Sequence, residues 1–199
     1  DLHSFPTRRS SDLDLLYNFC IKFFNSDIKN VPSLVGNFKN SYEPPAKMNY
    51  FTYDEFDNFI SQIDDITYHA LFDFLFFTGC RIGEALALTF NDLNENDVYI
   101  SKTISKEFVN GSRVITTPKT KTSIRNVLID DLLGSELKKL KQHYITKYKN
   151  FNNDFYIFGG IKPLAQTTVE RHKNKYCDLA NVKRIRIHDF RHSYATLQI

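Results

Sequence analysis

The run TYHALFDFLFFT, from Thr67 to Thr78, is apolar at most positions and long enough for a helix. Gly79 directly after it suits the left-handed residue that often ends one. Before it, Thr52-Tyr-Asp-Glu55 has the spacing of a capping box and opens a helix running to about Ile63. After it, Ile82 to Leu88 reads as a short helix. DVYISKTI, RVITT and IRNVLI are short, rich in β-branched residues, and read as three strands. The Asn110-Gly111 pair in VNGSR turns the first into the second, and PKTKTS links the second to the third. Asp130 to Lys149 is an amphipathic helix, and FYIF (155–158) a short buried strand or turn. Thr167 to Leu179 is a helix with Val169, Tyr176 and Leu179 toward a core, and His188 to Leu197 begins a last one. Near the start, LLYNFCIKFF from Leu15 to Phe24 is apolar on most sides, as a helix packed in a bundle would be. Together these elements predict an α+β chain, mostly helical, with helices surrounding a small three-stranded antiparallel sheet.

The same pattern divides the chain. Residues 1–13, DLHSFPTRRSSDL, are polar and aperiodic, resemble translated adapter sequence, and are read as a non-native tail. Residues 14–29 form a helical segment, and residues 30–50, with Pro44-Pro45 forbidding helix, form a linker. Residues 51–199 form the main domain. An apolar content of 42% supports a folded core. Three cysteines without a C-x-x-C fit a reducing cytoplasm. The longest apolar stretch, ALFDFLFFTGC, is too short and too interrupted to span a bilayer, so no membrane partner is expected.

Charge changes the picture further. The net of +3 hides a segment, 43–97, with 2 basic and 11 acidic side chains (net −9), beside a segment, 98–199, with 19 basic and 8 acidic (net +11). A basic half next to an acidic half predicts one surface for a polyanion.

Basic residues also recur in three islands: Arg81 in FTGCRIGEALALTFNDL, Lys119 and Lys121 in TPKTKTSIRNVLI, and His188 with Arg191 in IHDFRHSYATL. A guanidinium fork matches two phosphate oxygens, while lysine and histidine can carry protons. None of the islands has metal-ligand spacing, so a phosphate site is expected rather than a hydrolytic metal site. Arg81 opens a helix whose other residues are core-like, and Glu84 reads as the support that orients it rather than as a general base. Lysines in a hairpin turn are ordinarily only solvated. Arg125, on the following strand, is expected to meet backbone or a surface acid. His188 and Arg191, three apart at a helix start, share a face, and Asp189 caps that helix or supports a neighbour. His192 is expected to point elsewhere. Thr168, Arg171 and Lys175 lie on a face of their helix away from Val169.

TGCRIGEALAL resembles the first arginine box of the tyrosine recombinases (the phage integrase family), and HDFRHSYAT their second, of the form His-x-x-Arg. PKTKTSIR, between two strands, resembles the hairpin that carries their lysine. The three occur in the family's order, and the resemblance covers roughly residues 13–199. It implies a catalytic domain that holds a DNA phosphodiester while a tyrosine attacks it, giving a 3′-phosphotyrosyl link. Arg81 and Arg191 would bind the non-bridging oxygens, and His188 would assist proton transfer or phosphate binding. The general acid would be Lys119, which fits best, or Lys121. The helix 167–179 would approach the major groove through Thr168, Arg171 and Lys175. Residues 14–29 would be the remnant of a helical domain that helps clamp DNA. The partner would be double-stranded DNA, with a homotetramer on two duplexes in the intact protein. The setting would be the cytoplasm of a bacterium, near the nucleoid, with the protein bacterial or phage-encoded. The family's nucleophilic tyrosine is expected beyond Ile199, since Tyr148, Tyr156, Tyr176 and Tyr194 precede or overlap the second box, and this region alone is therefore expected to be inactive. The alternatives are a type IB topoisomerase, which uses a similar residue set, and a non-catalytic DNA-binding protein derived from the fold. The TGCRIGEAL form favours a recombinase over the first.

Overall fold

The computed structural model describes residues 18–24, 49–109, 112–117 and 123–198. The chain divides into two units, residues 1–47 and 48–199. In the first, residues 18–24 are helical, with Phe19, Phe23 and Phe24 exposed.

The second unit is built around a helix that is apolar over most of its surface. Helix α1 (Tyr53–Ile60) leads to α2 (Ile66–Thr78), in which Ala70, Leu71, Phe72, Phe74, Leu75 and Phe76 are all inaccessible to solvent. So apolar a helix must be covered by other elements over most of its surface. Asp65 fixes its start by accepting from the backbone N–H groups of Thr67 and Tyr68. The capping box of α1 forms as its sequence predicts, Thr52 and Glu55 each accepting the other's backbone N–H. Phe56 of α1 then stacks on Phe76 of α2, with ring centroids 3.7 Å apart.

Two further helices close the core. In α4 (Asp131–Lys147), Leu133, Leu137, Leu140 and Tyr144 are buried. From α6 (Asp189–Leu197), Phe190 stacks on Phe72 at 5.6 Å. The chain's entry into the unit is tied to α6 as well. Phe51 N–H donates to Ser193 Oγ at 2.9 Å, and that hydroxyl donates to the Asp189 carbonyl at 3.0 Å. A short helix, α3 (Ile82–Ala87), follows α2. Residues 155–158 lace its far end into the unit, with Ile157 N–H bonded to the Leu88 carbonyl and Phe158 fully buried.

The expected three-stranded sheet resolves into two antiparallel pairs among the described residues. Strand β1 (Asp97–Ile100) pairs with β4 (Arg125–Leu128), and β2 (Thr103–Val109) with β3 (Ser112–Thr116). The run 97–104 is therefore two strands, broken at Ser101 and Lys102. Beyond the break β2 lies against α3, so closely that a Cβ on Gly83 would meet Thr103 Oγ1 at 2.7 Å. The Asn110-Gly111 turn lies outside the described residues. Helices dominate around these small sheets, so the α+β class holds.

Helix α5 (Gln166–Leu179) corrects one core assignment. Val169 and Tyr176 are buried as expected, but Leu179 is 57% exposed. It follows Arg171 and Lys175 at intervals of four, and so lies on their exposed stripe. Lys173 takes the core-facing position instead, its ammonium donating to the Ile185 carbonyl and to Glu170 Oε1. Among the described residues no helix is long and apolar enough to cross a membrane.

A polar clamp joins α2 to α4. His69 Nδ1 lies 3.3 Å from Asp73 and hydrogen-bonds Glu136. The Asp73 and Glu136 hydrogen bonds lift His69 to about 10 against the opposing effect of burial. A histidine with a raised folded pKa stabilises fully below its unfolded value, near 6.5, and loses that contribution as pH rises through the folded value. His69→Ala is therefore expected to cost about 1.5 kcal/mol at pH 6, the lower figure for charge-assisted hydrogen bonds because the ring is partly exposed. The gap between variant and parent should narrow from pH 7 to pH 10. Urea denaturation across that range measures it, and a gap independent of pH would contradict the assignment.

Candidate active site

Gly79 ends α2 in the left-handed region, with φ of 60°, and the chain leaves it through Cys80 into Arg81, the N-cap of α3. A Cβ on Gly79 would lie 2.5 Å from Tyr194 Cδ1 of α6. Glycine is needed here twice, for the backbone angle and for the close approach of α6. That approach brings Arg191, whose Nη1 donates to the Gly79 carbonyl at 2.8 Å across 112 residues of sequence. The first and second arginine boxes thus meet at one turn.

Glu84 sits one turn into α3 and is 2% exposed. Its Oε1 accepts Arg81 Nη1 at 2.9 Å, and its Oε2 accepts the Arg81 backbone N–H at 3.1 Å. The expected orienting contact is therefore present. Oε2 also accepts Arg125 Nη2 at 2.9 Å. Burial pushes this carboxyl up, but the hydrogen bonds from Arg125 and Arg81 outweigh it and hold it below the usual range. It is an anion at neutral pH, unsuited to work as a base. The Cys80 thiol beside it is pushed up to about 11 by burial and stays protonated.

His188 is the exposed N-cap of α6. Burial first, then the neighbouring His192, depresses its pKa, which leaves the imidazole neutral at neutral pH. His192 does not point elsewhere: its ring meets that of His188 edge-on at 5.4 Å, because residues four apart are neighbours on a helix. Asp189 is fully buried and takes its supporting role toward Arg186, accepting from the backbone N–H at 2.9 Å and from Nη2 at 2.8 Å.

Arg191, Arg125, Thr78, Gly79 and Tyr194 line a cleft of about 510 Å³. Arg81, half-exposed, stands next to this group through the Gly79–Cys80 turn. Lys119 and Lys121 lie outside the described residues. Thr168, Arg171 and Lys175 are on α5, apart from the cleft, with Arg171 and Lys175 exposed and Thr168 half-buried. Among the described residues one trio could hold a cation, His69, Asp73 and Glu136, whose donor atoms lie within 4.8 Å of one another; it shares no residue with the cleft.

Arg125 is the residue that sequence reasoning undervalued. It meets a buried carboxylate, not a surface one. The signal was in the strand's alternation, where Arg125 and Val127 are half-buried while Asn126 and Leu128 are exposed. A charged residue on the inward side of a short strand needs a buried partner.

The phage integrase family model matches residues 49–197. The ICEBs1 integrase of Bacillus subtilis (strain 168) is 34% identical over 160 residues, a region covering 77% of this chain and 44% of that protein. The chain thus spans less than half the length of this relative. Among solved structures, the Tn1549 transposon integrase in complex with circular intermediate DNA aligns with a TM-score of 0.65 at 17% identity, over 96% of this chain and 64% of that one. A lambda integrase dimer bound to a COC′ core site gives 0.60 at 15%, over 94% and 50%. XerA recombinase gives 0.58 at 18%, over 98% and 62%. At these identities the structural likeness speaks for the fold.

Proposed function

This chain belongs to the phage integrase family, and from that premise we propose that its second unit is the phosphate-holding part of a site-specific tyrosine recombinase acting on duplex DNA. One observation carries the reading. Two arginines from distant boxes meet at the Gly79 turn, each with only part of its guanidinium engaged by protein among the described residues. A phosphodiester approached by a nucleophile gains charge on its non-bridging oxygens, and preset donors stabilise that charge without reorganising. Arg81 and Arg191 are the donors. His188, neutral and exposed, can accept a proton or donate its N–H to the phosphate. Lys119, or Lys121 in second place, protonates the leaving 5′-oxygen. The product is a 3′-phosphotyrosyl link, from which the strands are rejoined. The bond energy is conserved in that link, so the reaction as proposed uses no metal or nucleotide.

Duplex DNA as partner is supported by the net +11 of residues 98–199 and by the DNA in the Tn1549 and lambda complexes. Thr168, Arg171 and Lys175 are proposed to meet the duplex from α5, residues 14–29 to belong to a DNA-clamping helical domain, and the intact protein to act as a tetramer on two duplexes in the cytoplasm.

The first test is binding. The 199-residue chain should bind duplex DNA chiefly through phosphates, with log affinity falling against log salt at roughly −0.9 per neutralised phosphate. A fluorescence titration from low to moderate salt measures the slope. A salt-independent affinity would sink the proposal that phosphates dominate.

A further inference from the structure

We infer that Arg125 is a positioning residue that keeps Arg81 available to phosphate, by occupying the second oxygen of the carboxylate they share. The inference rests on the reading of Arg81 as a phosphate ligand.

Glu84 is 2% exposed, whereas the Arg81 and Arg125 side chains are 51% and 28% exposed. One anion withdrawn from water therefore serves two cations, and the three groups together carry one net positive charge. The two guanidinium groups divide the oxygens. Arg81 Nη1 bonds Oε1 at 2.9 Å, while Arg125 Nη2 bonds Oε2 at 2.9 Å, an oxygen that also takes the Arg81 backbone N–H at 3.1 Å. A guanidinium alone with a carboxylate tends to close a two-bond fork on both oxygens. With Oε2 occupied, Arg81 is confined to one side-chain bond, and its Nε and Nη2 have no protein partner among the described residues. That free edge is what a phosphate would meet.

Arg125 is fixed well enough to impose this. Its Nη1 donates to the Ser123 carbonyl at 2.9 Å, and Nη2 also lies 3.8 Å from Cys80 Sγ. Its backbone is held opposite Ile100 in the β1–β4 pair. It is thus a strand-borne anchor beside the cleft that Arg191 lines. Without it, Glu84 would neutralise Arg81 completely and draw its fork inward, and the site would lose both a charge and an edge.

The test uses the protein in cleavage-competent form and a nicked suicide DNA substrate. R125Q should lower the cleavage rate at saturating DNA by about 10- to 100-fold, as misplacing a transition-state group does, with DNA affinity within about threefold of the parent. R125K, which restores one bond to Oε2 and the charge, should recover at least about threefold of that loss. The decisive comparison is made in an E84Q background. With no carboxylate charge to divide, R125Q should there cost less than about threefold further. Thermal midpoints of the parent and the four variants report folding. R125Q cleaving within twofold of the parent, no recovery with R125K, or an equal loss from R125Q in both backgrounds would each overturn the inference. The underlying reading has its own control, Arg81→Lys: normal cleavage by that variant would remove Arg81 from the site, whatever Arg125 does.

Discussion

Arg191→Lys and Arg81→Lys are each expected to lower the rate of strand cleavage by about 10²–10³, the loss typical when one preset donor to a developing charge is removed. Each arginine gives one guanidinium nitrogen to the protein. Arg191 donates Nη1 to the Gly79 carbonyl, and Arg81 donates Nη1 to Glu84, which leaves the rest of each guanidinium for the proposed phosphate. A lysine ammonium is a point charge without the planar fork. It can hold the protein partner or meet a phosphate oxygen, but it cannot do both in the original geometry. Folding and most DNA affinity should survive, because charge and one hydrogen bond are kept. Single-turnover cleavage by the full-length protein, with a parallel binding titration, separates the two effects. Near-normal cleavage by either variant would take that residue out of the proposed site.

Gly79→Ala should cost about 3 kcal/mol of stability and most of the cleavage activity. Placing an L side chain in the left-handed region costs about 1–2 kcal/mol. The added methyl also lands 2.5 Å from Tyr194 Cδ1 and 3.2 Å from its Cβ. Contact near the ring's root cannot be relieved by swinging the tip, so α6 must shift, and overpacking of this kind costs about 1–3 kcal/mol. A shifted α6 carries Arg191 with it, which couples the structural loss to the chemical one. Urea denaturation of Gly79→Ala and of the double variant with Tyr194→Ala divides the cost. Removing the ring should return the packing share and leave the dihedral share. A loss under about 1 kcal/mol for the single variant would contradict this account.

The sequence was most legible where local chemistry decides the outcome. The capping box at Thr52 and Glu55 and the stop at Gly79 rest on groups within a turn of each other, and both formed. The arginine boxes were legible through resemblance, and their meeting at the Gly79 carbonyl gives that resemblance a geometry. Less legible was whatever depends on neighbours distant in sequence. The run 97–104 has one composition throughout, and only its separate partners, β4 and β3, divide it. Leu179 looked like core by type, yet the angular position it shares with Lys175 decides its exposure. Arg125 meets backbone as expected, at the Ser123 carbonyl, but its acid is not on the surface: Glu84 lies 41 residues earlier, on the buried side of α3. Lys173 and Leu179 show the same limit from opposite sides, since polarity alone assigns neither correctly.

The helix α2 has a consequence for the order of events during synthesis. It is apolar over most of its surface, and its cover includes Phe190 from α6. The Gly79 turn leaves the ribosome 112 residues ahead of Arg191. At roughly 5–20 residues per second, that is a wait of roughly 6–20 s. Over that interval the least soluble helix of the unit has no partner for the face that α6 will take. Slower translation of residues 130–190 would lengthen the exposure, whereas a chaperone that recognises Phe-rich helices would shorten it. The helix that leads into the Gly79 turn thus waits, partly uncovered, for the segment that brings the second box.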